Sequence, residues 1–255
     1  MKAIKFTLFG EGACFRAPYQ NRMNITYSHI HKIALLGILG AIIGLDGLND
    51  IESMFNGFPP KKYPEFYEKL KDLKVSIVPN KKEFQTGIKI YTDTTGASSY
   101  EVPKSGGGKY GQTLIVKEQY LMLPSWDIYI LDDNSIDRET FEYLQKNLLE
   151  HNSVYYIYFG KNSYAADYKN VEIVKISTPD KVSKLDSLFF YRDVVLADSF
   201  GSDSIPYIFK QYMPIGYEEG TCRYIQEEIG FTESMIEFHS LKNVYKHENR
   251  ILQFF

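Results

Sequence analysis

Cysteine is scarce in this 255-residue chain: Cys14 and Cys222 are the only two, too few for a disulfide framework and not spaced as a metal-binding pair. That scarcity fits a reducing compartment, and a cytoplasmic location is expected. Long apolar runs are lacking too. The longest, Ile33 to Leu45, falls short of the roughly 20 residues that a membrane span needs, so no membrane partner is expected. The N-terminal apolar run is broken at Gly10 and Glu11, which excludes a signal-peptide core. There is one tryptophan, no internal repeat, and, from Gly12 through Leu45, no acidic residue at all. On a chain of net charge −3, that acid-free stretch, with Arg16, Arg22, His29, His31 and Lys32, points to a localised anionic partner.

What is abundant is aromatic. Twenty-one tyrosines and 17 phenylalanines bring aromatics to 15%, within an apolar fraction of 44% that suits a packed core. Lys2 to Phe9 alternates, with Ile4, Phe6 and Leu8 on one side, which predicts a strand with one buried face. A polar loop from Cys14 to Thr26 follows. Ser28 is the expected N-cap of an apolar helix running to about Leu45 and stopped at Asp46-Gly47. Gly37, Gly40 or Ala41, and Gly44 leave one stripe of that helix nearly bare. Since each glycine costs roughly 1 kcal/mol of helix propensity, close packing against a flat sheet is expected.

Further on, the periodicities predict a helix over Pro64 to Leu73, strands at Val75 to Val78, Ile88 to Tyr91, Leu114 to Tyr120 and Trp126 to Leu131, and a helix over Ile136 to Glu150. Strands are also expected at Val154 to Phe159, Val171 to Ser177 and Ser187 to Leu196, then short strands from Pro206. The long connection between Tyr91 and Leu114 implies a hairpin with a polar, glycine-rich tip. The order indicates an α+β fold of ferredoxin-like type with an inserted hairpin.

Several chemistries can be weighed on these residues. In SGGGKYGQT, Gly106 and Gly111 have phosphate-loop spacing, but Gln112 stands where that motif needs lysine. Lys104, Lys109 and Lys117, with Tyr110, instead suit a nucleic-acid backbone. His29 and His31 could face one side of an extended segment as metal ligands, yet no third ligand is near, and no metal or cofactor is expected. Beside an RNA, the same imidazoles with Tyr27 and Lys32 could instead act as general acid and base. Cys14 lacks an orienting partner and is expected to be structural. The strongest signal is the basic loop: Arg16, Tyr19, Asn21, Arg22, Asn24, Tyr27 and Ser28 offer forked charges, amide edges and stacking rings leading into a helix N-terminus.

The blocks FTLFGEGACFRAP and TYSHIHKIALLGILGAIIGL, the hairpin from Thr86 to Leu123, LPSWDIYI with its following helix, and VYYIYFGKNSYAA resemble, in content and order, the CRISPR-associated Cas five family. The resemblance covers most of residues 1–180. It implies a member of the RAMP superfamily: a ferredoxin-like (RRM-like) RNA-binding domain over 1–180, a thumb hairpin at about 86–123, and a smaller, β-rich C-terminal extension over 181–255. It also implies a non-catalytic subunit of a type I Cascade complex that holds the 5′ handle of the CRISPR RNA and contacts the backbone and large subunits. Target DNA would be met only indirectly. The N-terminal block and tyrosine-rich middle look most like type I-B members. Similar proteins of type I-C systems cut precursor RNA with a tyrosine, a lysine and an adjacent histidine. Here Lys117 is followed by Glu118, leaving Tyr27, His29, His31 and Lys32 as the residues of the alternative, a metal-independent endoribonuclease.

Overall fold

The computed structural model describes residues 1–18, 22–47, 62–81, 85–94, 113–197, 207–238 and 242–255. Along the chain the longer elements are β1 (Lys2–Gly10), α1 (Lys32–Ile43), α2 (Glu65–Leu70), β2 (Val75–Pro79), β3 (Thr86–Thr94), β4 (Thr113–Met122), β5 (Ser125–Asp132), α3 (Arg138–Leu149), β6 (Ala166–Lys175), β7 (Phe209–Tyr217) and β8 (Tyr224–Phe231). The expected α+β protein is thus mostly β with few helices.

Four strands form the central antiparallel sheet in the order β2, β5, β1, β6. Strand, helix, strand, strand, helix, strand is the order in which β1, α1, β2, β5, α3 and β6 enter, with α2 and the β3–β4 hairpin inserted. Alternation fixes the faces: Ile4, Phe6 and Leu8 of β1 share one apolar cluster with Leu35, Leu36 and Leu39 of α1 and Phe141, Leu144 and Leu148 of α3. The other face is not left to solvent as expected. Ala3, Tyr129, Leu131 and Val174 lie under Leu252 and Phe254 of a C-terminal hairpin, Val244–His247 with Arg250–Gln253. On this face Asp127 accepts bonds from Thr7 Oγ1 (2.7 Å), Asn80 Nδ2 (3.0 Å) and Arg250 (2.6 Å), fastening the hairpin to the sheet.

Local details depart from the periodicities at four places. First, α1 is N-capped by His31, whose Nδ1 accepts from the Ala34 N–H at 3.2 Å, and not by Ser28; it ends at Gly44, which takes the left-handed conformation (φ 78°). Second, the bare stripe of α1 meets no sheet: a Cβ on Gly40 would lie 2.6 Å from the Phe66 Cβ of α2, and one on Gly44 would meet Val154. Phe66 of α2 and Val154 thus stand where the flat sheet was expected. Third, Val154 to Phe159 is not a strand: its backbone bonds go to scattered partners, Ala41, Ile42, Cys14 and Ala166, and a single bridge joins Tyr158 to Ala165. Fourth, Ser187 to Leu196 divides into Phe189–Phe190 and Val194–Leu196, separated by a 3-10 turn at Tyr191–Asp193.

The β3–β4 hairpin keeps one register from Thr86↔Leu121 to Thr94↔Thr113. Its base is joined to the body by Gly12–Ala13 against Leu121 and Met122. β7 and β8 form an antiparallel pair whose Met213, Tyr217, Ile229 and Phe231 enter the main core beside α1 and α2. Among the described residues, no helix is long and apolar enough to cross a membrane.

Candidate nucleic-acid interface

The basic loop is stitched to the hairpin through its backbone. Arg16 pairs with Thr26 and Ala17 with Ile25, and Asn24 then bridges to β4: its N–H donates to the Lys117 carbonyl (2.9 Å) and its carbonyl accepts from the Gln119 N–H (2.8 Å). This arrangement brings the exposed Arg16, Arg22 and Lys117 into one neighbourhood around the half-buried Asn24. Lys117 faces away from Glu118 because successive strand residues point to opposite sides. Tyr19, Asn21, Lys104, Lys109 and Tyr110 lie outside the described residues.

The other expected site residues are turned inward. Tyr27 is fully buried, its hydroxyl accepting from Gln226 Nε2 (3.2 Å), so its ring offers no face for stacking. Ser28 donates through N–H and Oγ to Gln211 Oε1 (3.0 and 2.8 Å), which explains why it does not cap α1. His29 accepts from Trp126 Nε1 at 3.3 Å and sits edge-on to Phe209 and Phe231. Burial lowers its pKa from the usual 6.5 to about 4, and that of His31 to about 3. Both imidazoles are therefore neutral parts of the core rather than solvent-facing acid and base. Lys32 is half-buried near Asp72 and Lys74, and burial draws its pKa down to about 8. Among the described residues, no group of three His, Cys, Asp or Glu is placed to hold a metal ion.

Behind the hairpin lies a buried acid that composition did not reveal. Glu118 is 2% exposed and accepts from the Tyr164 hydroxyl (2.9 Å) and from Lys161, which also donates to the Tyr91 hydroxyl (3.2 Å). Burial opposes the Lys161 charge, but the bonds to Glu118 and Tyr91 outweigh it and raise its pKa. The Lys89 ammonium lies 4.5 Å from the Tyr164 ring centroid. Cys14, next to this cluster, is pushed up to about 11 by burial and then by Glu118, so it stays a thiol.

Sequence reasoning also missed a groove of about 740 Å³ between α1 and the segment after α3. Arg16, Tyr155, Tyr156, Tyr158 and Tyr224 line it. The signal was present as the density of tyrosine in VYYIYFG, but only the fold places those rings beside Arg16.

A chain described as a CRISPR RNA-guided surveillance complex superposes with a TM-score of 0.50 at 11% identity, over 91% of this chain and 90% of that one. At that identity the likeness is one of fold. A CRISPR protein from Archaeoglobus fulgidus aligns with a TM-score of 0.45 at 12% identity, over 99% and 98% of the two chains. No curated protein matches the chain. The family model Cas_Cas5d, described as CRISPR-associated protein (Cas_Cas5), matches residues 3–220, and the chain belongs to this CRISPR-associated Cas5 family.

Proposed function

We propose that the protein is a non-catalytic RNA-binding subunit of a type I CRISPR interference complex, holding the 5′ handle of the CRISPR RNA at the foot of the backbone filament and touching the large subunit. Family membership supports the setting. The observation that carries the reading is the Asn24 bridge to β4, which brings the loop carrying the exposed Arg16 and Arg22 against the hairpin at the exposed Lys117, halfway along its ladder. The central sheet is consistent with a ferredoxin-like, RRM-like domain of RAMP type, since its strand order β2, β5, β1, β6 and its strand-helix alternation match that motif. The β3–β4 hairpin is then the thumb, with Lys104, Lys109 and Tyr110 in its connection. The N-terminal block resembles type I-B members, whereas the matched family model is that of the type I-C branch. The residue after the hairpin lysine separates the two readings of activity. The type I-C proteins that cut RNA are characterised by a lysine beside a histidine; here Lys117 is followed by Glu118, which is engaged by Lys161 and Tyr164.

The test is to incubate the purified chain with labelled repeat RNA in EDTA and run native and denaturing gels in parallel. Retarded, intact RNA is the expected result. A discrete cut within the repeat would overturn the non-catalytic reading and favour a metal-independent endoribonuclease. Arg16→Ala, Arg22→Ala and Lys117→Ala should each reduce the slope of log affinity against log salt by about 1, as expected for one lost phosphate contact.

A further inference from the structure

The segment after α3 holds three tyrosine rings, Tyr155, Tyr156 and Tyr158, out in the open on a backbone tied down by hydrogen bonds, and two of them, Tyr156 and Tyr158, pair with each other. Ile157 and Phe159 point into the core, so Tyr156 and Tyr158 point outward at 62% and 42% exposure. Although it forms no ladder, the segment is tied down along its length. Val154 and Tyr155 donate to the Ile42 and Ala41 carbonyls (3.1 and 3.0 Å), Ala166 to Ile157 (3.1 Å), and Cys14 to Phe159 (3.1 Å). Gly160 closes it in the left-handed conformation (φ 77°), so tightly that a Cβ there would lie 2.1 Å from the Cys14 carbonyl oxygen. Holding exposed aromatic rings this way removes most of the ordering entropy that a ligand would otherwise have to overcome.

The two rings are held nearly parallel. Alternate residues of an extended chain lie on the same side about 6.6 Å apart, and the Tyr156 and Tyr158 centroids are 6.5 Å apart with planes inclined by only 27°. What sets this pair apart from the near-parallel Tyr217–Tyr224 and Tyr120–Tyr164 pairs is that both of its rings are exposed, whereas Tyr217 and Tyr164 are buried. The groove beside the open pair measures about 740 Å³ and has the bare Gly37 of α1 in its wall. Arg16 stands in the lining near Phe15 and Gly160, with Asp46 in the lining as well.

We propose that Tyr156 and Tyr158 form an aromatic clamp for one unstacked base of single-stranded RNA, with Arg16 holding an adjoining phosphate. The clamp rests on the RNA-binding reading and assigns a base-stacking subsite to residues outside the basic loop. RNA is favoured over an apolar peptide because the rings are exposed and near-parallel, as stacking on a base requires, and the groove carries the Arg16 cation of the proposed phosphate surface. Stacking tolerates any base, so this subsite would contribute affinity and register, not sequence choice.

The test uses the full chain and single-stranded repeat RNA carrying 2-aminopurine at successive positions, with an abasic series of the same length. Fluorescence should be quenched at one position, and an abasic residue there should weaken binding about 10-fold, within the range for one base–aromatic stack. Tyr156→Ala and Tyr158→Ala should each weaken binding to a similar extent, abolish the quench and leave the salt slope unchanged; Tyr156→Trp should retain both. Arg16→Ala should instead lower the slope by about 1. Thermal unfolding of each variant checks that it still folds. Quenching at no position, or unchanged affinity in both alanine variants while Arg16→Ala still weakens binding, overturns the clamp alone. Loss of protein-subunit binding with RNA affinity intact overturns it in favour of a protein partner. No RNA affinity in the parent chain overturns the RNA-binding reading and the clamp with it.

Discussion

Removing the Glu118 carboxylate leaves the Tyr164 hydroxyl without its acceptor and the Lys161 ammonium without its counter-charge. Lys161 is about one-third exposed and can recover hydration, so only part of the cost of a broken buried pair applies. Glu118→Ala is expected to destabilise by on the order of 2 kcal/mol. For a chain of this size that lowers Tm by roughly 4–8 °C. Glu118→Gln, which keeps an acceptor for Tyr164, should lose about half as much, and calorimetry of both variants checks the difference. An unchanged Tm in Glu118→Ala would show that the cluster contributes nothing to stability. Nothing in the local sequence marks this residue: its partners come from 43 and 46 positions further along. Lys117, one residue earlier, was legible because an exposed cation beside an acid-free loop needs no partner to be recognised.

In α1, two glycines of one stripe make opposite predictions. A Cβ on Gly37 would find its nearest neighbour, the Phe66 ring, at 4.0 Å; one on Gly40 would meet the Phe66 Cβ at 2.6 Å. Gly37→Ala should therefore stabilise by about 0.5–1 kcal/mol through helix propensity. Gly40→Ala should destabilise by about 1–2 kcal/mol net, because the Phe66 Cβ is fixed to the α2 backbone and cannot move aside. Chemical denaturation of the two variants is the check, and equal effects of the same sign would show that α2 does not press on α1 as described. The helix itself was legible from its apolar run, but the partner of its bare stripe was not. Val154 to Phe159 taught the complementary lesson. It was expected as a strand, and its Ile157 and Phe159 are buried while Tyr155, on the same parity, is exposed. Yet alternation reports which residues are covered and not what covers them.

Across the whole molecule, pH acts through the covered histidines. His29 and His31 have folded-state values of about 4 and about 3, below the ordinary 6.5, because burial disfavours their charged forms. The unfolded chain therefore binds protons first as pH falls. Their contribution is complete above about pH 6.5 and is lost progressively down to about pH 4 and below. His247, also lowered by burial, acts in the same direction. Asp127 behaves like an acid with a depressed value: burial opposes its charge, but bonds from Arg250, Asn80 and Thr7 outweigh that, so its contribution is lost only below its ordinary 3.8. Tm should fall steadily from pH 7 to pH 4.5. His31→Asn, which keeps a good N-cap without the titration, should flatten part of that slope. A flat profile in the parent chain would contradict the burial of these rings.

The amino-acid sequence by itself determined the strand β1, the helices α1 and α3, the hairpin between Thr86 and Leu123, and the family, because each rests on periodicity or on blocks contiguous in the chain. It also located the basic loop, since the absence of acid from Gly12 to Leu45 is a local fact. Only the tertiary structure decided which polar residues of that loop face solvent. Tyr27 and Ser28 are held by Gln226 and Gln211, 199 and 183 residues away, while Arg16, Arg22 and Lys117 stay exposed. Burial is set by what packs over a residue, and here the cover comes from β7 and β8, which no reading of the first fifty residues could place.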